Sequence, residues 1–257
     1  MGRAAYTPPV LRFSVAIIAR DEEEVIVAAV ASAAGADEVL VLDSGSSDRT
    51  LKLAAAAGAR VEQAPWQGYG AQKNLAAGLC RNHWVFSLDA DERIGSELAA
   101  AIAELPEGPA VSAFRVRRRN RYAGRVIRRW PWSWDMQTRL YDRRRARFVE
   151  RQVHETLACD GEVLLLRGVL EHHGDRRPEA HARRQLEYAR LGAEEALARG
   201  RRPRPGDQLL HPAVAFLRLW LGRGYLLNGG LGWHLSRLAA EGTRMKYQRL
   251  RELSGRA

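Results

Sequence analysis

Two carboxylates stand at positions i and i+2 in Asp89-Ala90-Asp91. In an extended segment such positions point to the same side. Both could therefore approach one hard cation, or one could hold the cation while the other holds a ribose hydroxyl. Two carboxylates leave the shell of Mg2+ or Mn2+ incomplete, and a diphosphate would complete it. A second cluster, Asp43-Ser44-Gly45-Ser46-Ser47-Asp48, offers Asp43 as an acceptor for a nucleotide base or ribose. Ser46 or Ser47 also suits a helix cap there, and Gly45 a positive φ. Arg20-Asp21-Glu22 is a third polar cluster. In Gln72-Lys73-Asn74, Lys73 falls in the first turn of a helix. Its charge opposes the helix macrodipole there, and a phosphate would relieve that cost.

Three of these clusters follow apolar, mostly β-branched runs. Residues 14–19, 39–42, 60–63 and 84–88 read as strands, and 22–34, 50–57, 70–79 and 96–104 as helices. Strand and helix alternate with connections of a few residues. That pattern predicts an α/β fold with a parallel sheet and helices on both faces. In such sheets ligands bind beyond the carboxyl ends of the strands, which is where the acidic clusters sit. After residue 112 the pattern changes. Short strands are expected at 112–116, 148–149 and 163–166, and helices from residue 178 onward with a break at 203–206.

The chain has 257 residues, with 41 Lys and Arg against 30 Asp and Glu, a net charge of +11. Thirteen arginines lie between Arg115 and Arg147, against only Asp135 and Asp142. A charge so segregated points to a polyanionic partner: nucleic acid, anionic lipid headgroups or a phosphorylated small molecule. Two cysteines, Cys80 and Cys159, exclude a disulfide scaffold and lack the spacing of a zinc site. They are expected as small apolar fillers in a reducing, cytoplasmic setting. No apolar run reaches the roughly 18–20 residues that span a bilayer. Arg3 is followed by Pro8 and Pro9 without an apolar stretch, so no secretory signal is expected. No G-x-G-x-x-G follows the first strand and no G-x-x-x-x-G-K-[ST] occurs, which argues against nicotinamide and P-loop enzymes.

The stretches SVAIIARDEE, VLVLDSGSSDRT, WQGYGAQKNLAA and WVFSLDADE, in that order and spacing, resemble the inverting family 2 glycosyltransferases of GT-A fold. The later stretches WSWDMQTRLYDR, VHETL, LEHHG and GYLLNGGLGWHLSRLAAEGTRMKYQRL resemble the subgroup that builds the lipopolysaccharide core. The resemblance runs from about residue 13 to residue 250. Asp21 stands where that family usually has Asn, and Asn228 where it more often has Asp.

The resemblance implies a Rossmann-like, mostly parallel nucleotide-sugar-binding sheet flanked by helices, with a helical C-terminal extension. The glycosyltransferase domain would cover 1–175, with a nucleotide half at 13–105 and an acceptor half at 110–175, and the extension 176–257. It implies a nucleotide-diphosphate sugar donor and a divalent metal ion. Nucleotide contacts fall to Asp21, Asp43, Lys73 and Asp89, and metal contacts to Asp91 and His172. An inverting transfer needs one carboxylate beyond the sugar to take the acceptor proton, and Glu155 in Val153-His154-Glu155 is the candidate. Trp132 and Trp134, with Arg139 nearby, suit the sugar rings and phosphates of a phosphorylated glycolipid acceptor. Residues 211–221 suit an interfacial helix on an anionic membrane or a core helix. The competing reading is a nucleic-acid-binding protein that uses segment 115–147; it leaves the acidic strand-end clusters without a use.

Overall fold

The computed structural model describes residues 9–122, 124–127, 135–149, 156–174 and 178–255, with side chains from 185 onward in the last of these. Two compact units emerge, Met1–Arg119 with Asp135–Gly174, and Asn120–Trp134 with Asp175–Ala257.

The first unit is built on one sheet. Its strands are β1 (Phe13–Ala19), β2 (Glu38–Asp43), β3 (Arg60–Gln63), β4 (Trp84–Asp89), β5 (Glu92–Ile94), β6 (Ala113–Tyr122), β8 (Asp135–Asp142) and β11 (Val163–His172); residues 120–122 at the end of β6, and the short β7 (Arg125–Val126) that pairs there, fall in the second unit. The order is β3-β2-β1-β4-β8-β6-β11-β5. Strands β3, β2, β1 and β4 are parallel, as expected. The sheet is then extended by antiparallel pairs, β4 with β8 and β8 with β6. A separate hairpin joins β9 (Ala146–Phe148) to β10 (Leu157–Cys159).

Parallel strands need cover on both faces, and successive side chains supply it. Val15, Ile17 and Ala19 of β1 face one core, with Val41, Phe86 and Leu88. Ala16 faces the other core, with Leu40, Leu42 and Val85. Helices α1 (Ile26–Ser32) and α4 (Ser96–Ala103) close the first core. Helix α3 (Tyr69–Leu79) closes the second. Helix α2 (Thr50–Ala56) links β2 to β3 and ends at Gly58, φ +95°. Cys80 lies in the second core, where burial, with the charge of Glu38 adding to it, pushes its thiol up to about 12. It stays protonated and acts as an apolar filler. Gly168 in β11 has φ +90°, and a Cβ there would lie 2.4 Å from the Leu98 amide nitrogen of α4, so only glycine lets this strand approach that helix.

Three expectations shift. Helix α1 begins at Ile26 rather than residue 22. The amides of Glu22 and Glu23 donate to Thr50 Oγ1 (2.7 Å) and Asp48 Oδ2 (3.1 Å), while the Glu22 carbonyl accepts the Val25 and Ile26 amides (3.0 Å each), so this turn ties the loop to the start of the helix. Strand β6 runs on past residue 116 through the arginines to Tyr122, and β8 forms at 135–142, where no strand was expected.

The second unit is helical beyond residue 178: α5 (Pro178–Ala198), α6 (Asp207–Leu217), a π-helical turn Arg218–Gly222, a 3-10 turn Tyr225–Asn228 and α7 (Gly229–Ser254). Among the described residues no helix is long and apolar enough to cross a membrane.

Candidate active site

The parallel registers pair Ala19 with Asp43, Ile18 with Asp89, and Asp43 with Gln63. The carboxyl ends of four strands therefore share one edge, and the acidic loops are gathered there.

The first two loops are cross-bonded. The Asp21 amide donates to Ser46 Oγ (2.9 Å), while the Ser47 amide and hydroxyl donate to Asp21 Oδ1 (2.7 and 3.1 Å). Asp21 holds a left-handed backbone, φ 54°. That conformation is tolerated best by residues whose short polar side chain can bond locally. Asp43 is fully buried. Its Oδ2 accepts the amides of Gly45 and Ser46 (2.9 Å each) and its Oδ1 the Ser46 hydroxyl. As placed, Asp43 shapes the turn from behind, and Asp21 locks that turn to its neighbour. Ser44 Oγ accepts from Gln72 Nε2 of α3 (3.2 Å), tying a third element to the same turn.

Lys73 is buried, not exposed to an incoming phosphate. Its Nζ lies 2.9 Å from Asp89 Oδ1 and sits 5.4 Å from the centre of the Phe148 ring. Helix α3 starts at Tyr69, which puts Lys73 just past its first turn, and the group that neutralises it is Asp89. Arg139, expected at the acceptor, is corrected likewise. It is only 4% exposed, and its Nη2 reaches Asp89 Oδ2 (2.7 Å) and Glu92 Oε1 (2.6 Å). A strand residue whose side chain enters the sheet layer cannot reach a bulky ligand outside it. Glu92 also accepts the Asp89 amide (3.1 Å) and faces Arg118 Nη1 at 3.4 Å; Arg118 bridges on to Asp135 at 2.7 Å.

This cluster sets protonation. Burial alone would raise Asp89, but the charges of Arg139 and Lys73 and their hydrogen bonds overcome it and hold the carboxyl far below the usual range. Burial wins at Glu92 and, with the negative field of Asp89, shifts it upward against the pull of Arg139 and Arg118. Burial also works against Glu38 and Asp142, yet hydrogen bonds and arginine charges leave both lowered. Between a lowered native value and the ordinary value of about 4, the unfolded chain binds a proton that the native chain does not, so stability rises with pH there. Glu38 and Asp142 should therefore begin to lose their contribution as the pH falls below about 5, and Asp89, held further down, should go on losing its own well below about pH 3. Glu92 works in the opposite sense, its contribution being lost as pH rises through its raised value. Denaturation midpoints across that acid range check this, and a flat acid limb would contradict it.

Asp91 and His172 are brought together. Strand β11 pairs antiparallel with β5, matching His172 with Glu92, and the His173 amide donates to the Asp91 carbonyl (2.8 Å). His172 Nε2 then lies 3.3 Å from Asp91 Oδ2, both side chains partly exposed at 24% and 30%. Among the described residues no group of three His, Cys, Asp or Glu side chains gathers into a closed metal cage. One carboxylate and one imidazole suit a cation that brings other oxygen ligands with it. Glu155, Trp132 and Trp134 lie outside the described residues.

Sequence reasoning missed Glu92 and Arg118, and also Trp66 and Tyr69. The last two are half exposed and meet edge-to-face with ring centres 4.8 Å apart, on the connection that leads from β3 into α3. The signal for Glu92 was slight: an acid directly after the paired aspartates, with an excess of arginine elsewhere to neutralise it. The arginine run also changes meaning. Arg118, Arg119, Arg139 and Arg144 pair with carboxylates of the same unit, and Arg143 donates to the carbonyls of Ala77 and Gly78. Four charges of the run are thus matched by carboxylates of the same unit.

A half-parallel α/β sheet whose acidic loops converge beyond the strand ends is the architecture in which α/β proteins bind ligands at that edge. The chain belongs to glycosyl transferase family 2, whose model matches residues 14–174. It is 30% identical over 224 residues to the lipopolysaccharide core biosynthesis glycosyltransferase LpsC of Rhizobium meliloti, covering 84% of this chain and 83% of that protein. An uncharacterized glycosyltransferase of Rickettsia prowazekii is 27% identical over 256 residues, 95% of this chain and 88% of that one. Among solved structures, glucosyl-3-phosphoglycerate synthase from Mycobacterium tuberculosis, in complex with Mn2+, UDP and glucosyl-3-phosphoglycerate, superposes with a TM-score of 0.36 at 23% identity. That match spans 47% of this chain and 51% of that one, too partial to assign a role to any residue. The protein is a glycosyltransferase.

Proposed function

We propose that this enzyme moves a sugar, with inversion, from a nucleotide-diphosphate donor to a hydroxyl of a phosphorylated glycolipid or core oligosaccharide. The observation that carries the donor side is the Asp91–His172 pair, 3.3 Å apart beside the carboxylate cluster at the strand ends. Family membership and the likeness to a lipopolysaccharide core enzyme support the transfer and the acceptor class.

Asp91 and His172 would hold a divalent cation, Mg2+ or Mn2+. When bound, it supplies positive charge to the diphosphate that leaves. Asp89, kept ionised by Lys73 and Arg139, orients the same edge toward a ribose hydroxyl. Asp43 and Asp21 hold the turn at residues 44–47 against which the base and ribose rest, and Trp66 and Tyr69 offer ring faces beside it. Glu155 takes the proton from the acceptor hydroxyl as its oxygen bonds to the anomeric carbon, and the diphosphate departs with the electron pair of the broken C–O bond. Trp132 and Trp134 stack on acceptor sugars. We place the reaction in the cytoplasm.

Asp91→Asn tests the donor side. Calorimetry with UDP-, GDP- and ADP-sugars, with and without Mn2+, should find one nucleotide that binds the parent enzyme in a metal-dependent way. The variant should keep its circular dichroism spectrum and lose at least about tenfold in that affinity. Metal-dependent binding undiminished in Asp91→Asn would remove the cation site.

A further inference from the structure

Helix α6 and the turns after it wear their apolar side outward. Leu210, Val214, Leu217 and Leu221 follow one another at i, i+4, i+7 and i+11, the spacing of a single helical stripe. In a surface helix that stripe normally faces the core, but here Leu210 is 63% exposed and Leu221 58%. Leu209 beside them is 79% exposed, and none of the residues of α6 is buried. The opposite side of the helix is already engaged. His211 stacks on Tyr247 of α7 at 4.3 Å, and Phe216 meets Trp233 of α7 edge-on at 4.8 Å. The outer stripe is therefore not the inner one misplaced. It continues past the helix through Leu226 and Leu227 and ends at Trp233, itself half exposed.

Charge identifies what covers it. Arg218 and Arg223 are exposed within the stripe. From residue 200 to residue 228 the chain carries five arginines against the single acid Asp207. A second copy of the chain docked about a twofold axis would press this basic surface against itself. An anionic bilayer offers negative headgroups to the arginines and a shallow apolar layer to the leucines, with tryptophan suited to the boundary between them. The 11 residues of α6 are too few to span, which leaves the helix lying in the plane of the surface.

We propose that the outer stripe of α6, from Leu209 to Leu221 with Arg218 and Arg223, is a docking face for an anionic membrane surface. This stands apart from the donor site and from the reading of the reaction.

Vesicle sedimentation tests it, using phosphatidylcholine alone and phosphatidylcholine with phosphatidylglycerol. The full chain should sediment with the anionic vesicles at low salt, with a blue shift of tryptophan emission, and bind the neutral vesicles about tenfold or more weakly. High salt should release most of it, because attraction between exposed charges is screened beyond about 8–10 Å. Leu217→Asp should weaken anionic binding by about tenfold or more. The pair Arg218→Gln and Arg223→Gln, which leaves the apolar stripe intact, should lose the preference for anionic over neutral vesicles. No sedimentation of the parent chain with anionic vesicles overturns the proposal. So does undiminished binding by Leu217→Asp, or a self-association in velocity sedimentation that Leu217→Asp abolishes while vesicle binding is absent, which would give the face to a second copy.

Discussion

Arg139→Leu should cost the fold about 3–5 kcal/mol, the range for removing one partner of a buried ion pair. The guanidinium bridges Asp89 and Glu92 from inside the sheet, and Glu92 is fully buried. Removing it leaves Glu92 to Arg118 at 3.4 Å and Asp89 to Lys73, with two carboxylates side by side and their shared cation gone. Glu92, already shifted upward, would take a proton and recover part of the loss. The double variant Arg139→Leu with Glu92→Gln should therefore be more stable than Arg139→Leu alone, a coupling that urea denaturation of the four proteins of the cycle measures directly. A single-variant loss below about 1 kcal/mol would place the cluster with ordinary exposed ion pairs.

Glu155→Gln should lower kcat by roughly 10² to 10⁴ while donor affinity stays near that of the parent enzyme. The amide keeps the size of the side chain and removes its ability to accept the acceptor proton. Two other carboxylates, Asp135 and Asp142, are poor substitutes. Asp135 is bound to Arg118 at 2.7 Å, and Asp142 to Arg144 at 2.6 Å with its carboxyl held low. A carboxylate held that low is a weak base. Pre-steady-state and steady-state kinetics separate the outcomes. A kcat within about threefold of the parent value would reduce Glu155 to a surface ion pair with a neighbouring arginine and return the search to other carboxylates.

The parallel half of the sheet was legible because its strands are short runs buried on both faces, and each ends at a polar cluster. Phe13–Ala19 and Trp84–Asp89 need little context to be read as strands. Strand β8 was not legible. Its inward positions include Arg139, a charge where the alternation rule expects an apolar group, and only Asp89 and Glu92, some fifty residues earlier, explain it. The same long-range pairing hid the meaning of the arginine run, since a sequence shows charge density but not which charges are already matched. At the site, His172 Nε2 lies 3.3 Å from Asp91 Oδ2, a proximity of residues 81 apart in the chain that only the β5–β11 pairing explains. The burial of Asp43 and Lys73 did not follow from the motifs, because a strand-end aspartate that shapes a turn and one that faces a ligand look alike in one dimension. Glu155, Trp132 and Trp134 lie outside the described residues and rest on the sequence reading alone.

The cross-bonded first and second loops bear on how such an enzyme can be recombined. The amides of Asp21, Glu22 and Glu23 donate to side chains of Ser46, Thr50 and Asp48. Arg49 returns a bond to Glu23 at 3.0 Å. Transplanting the serine-rich turn of a relative without its companion turn would strand three backbone donors at the edge where the donor is to lie. The smallest portable cassette is therefore residues 20–50, carrying α1 and β2 between the two turns. Within it, a change at Asp21 is best made together with a matching change at Ser47.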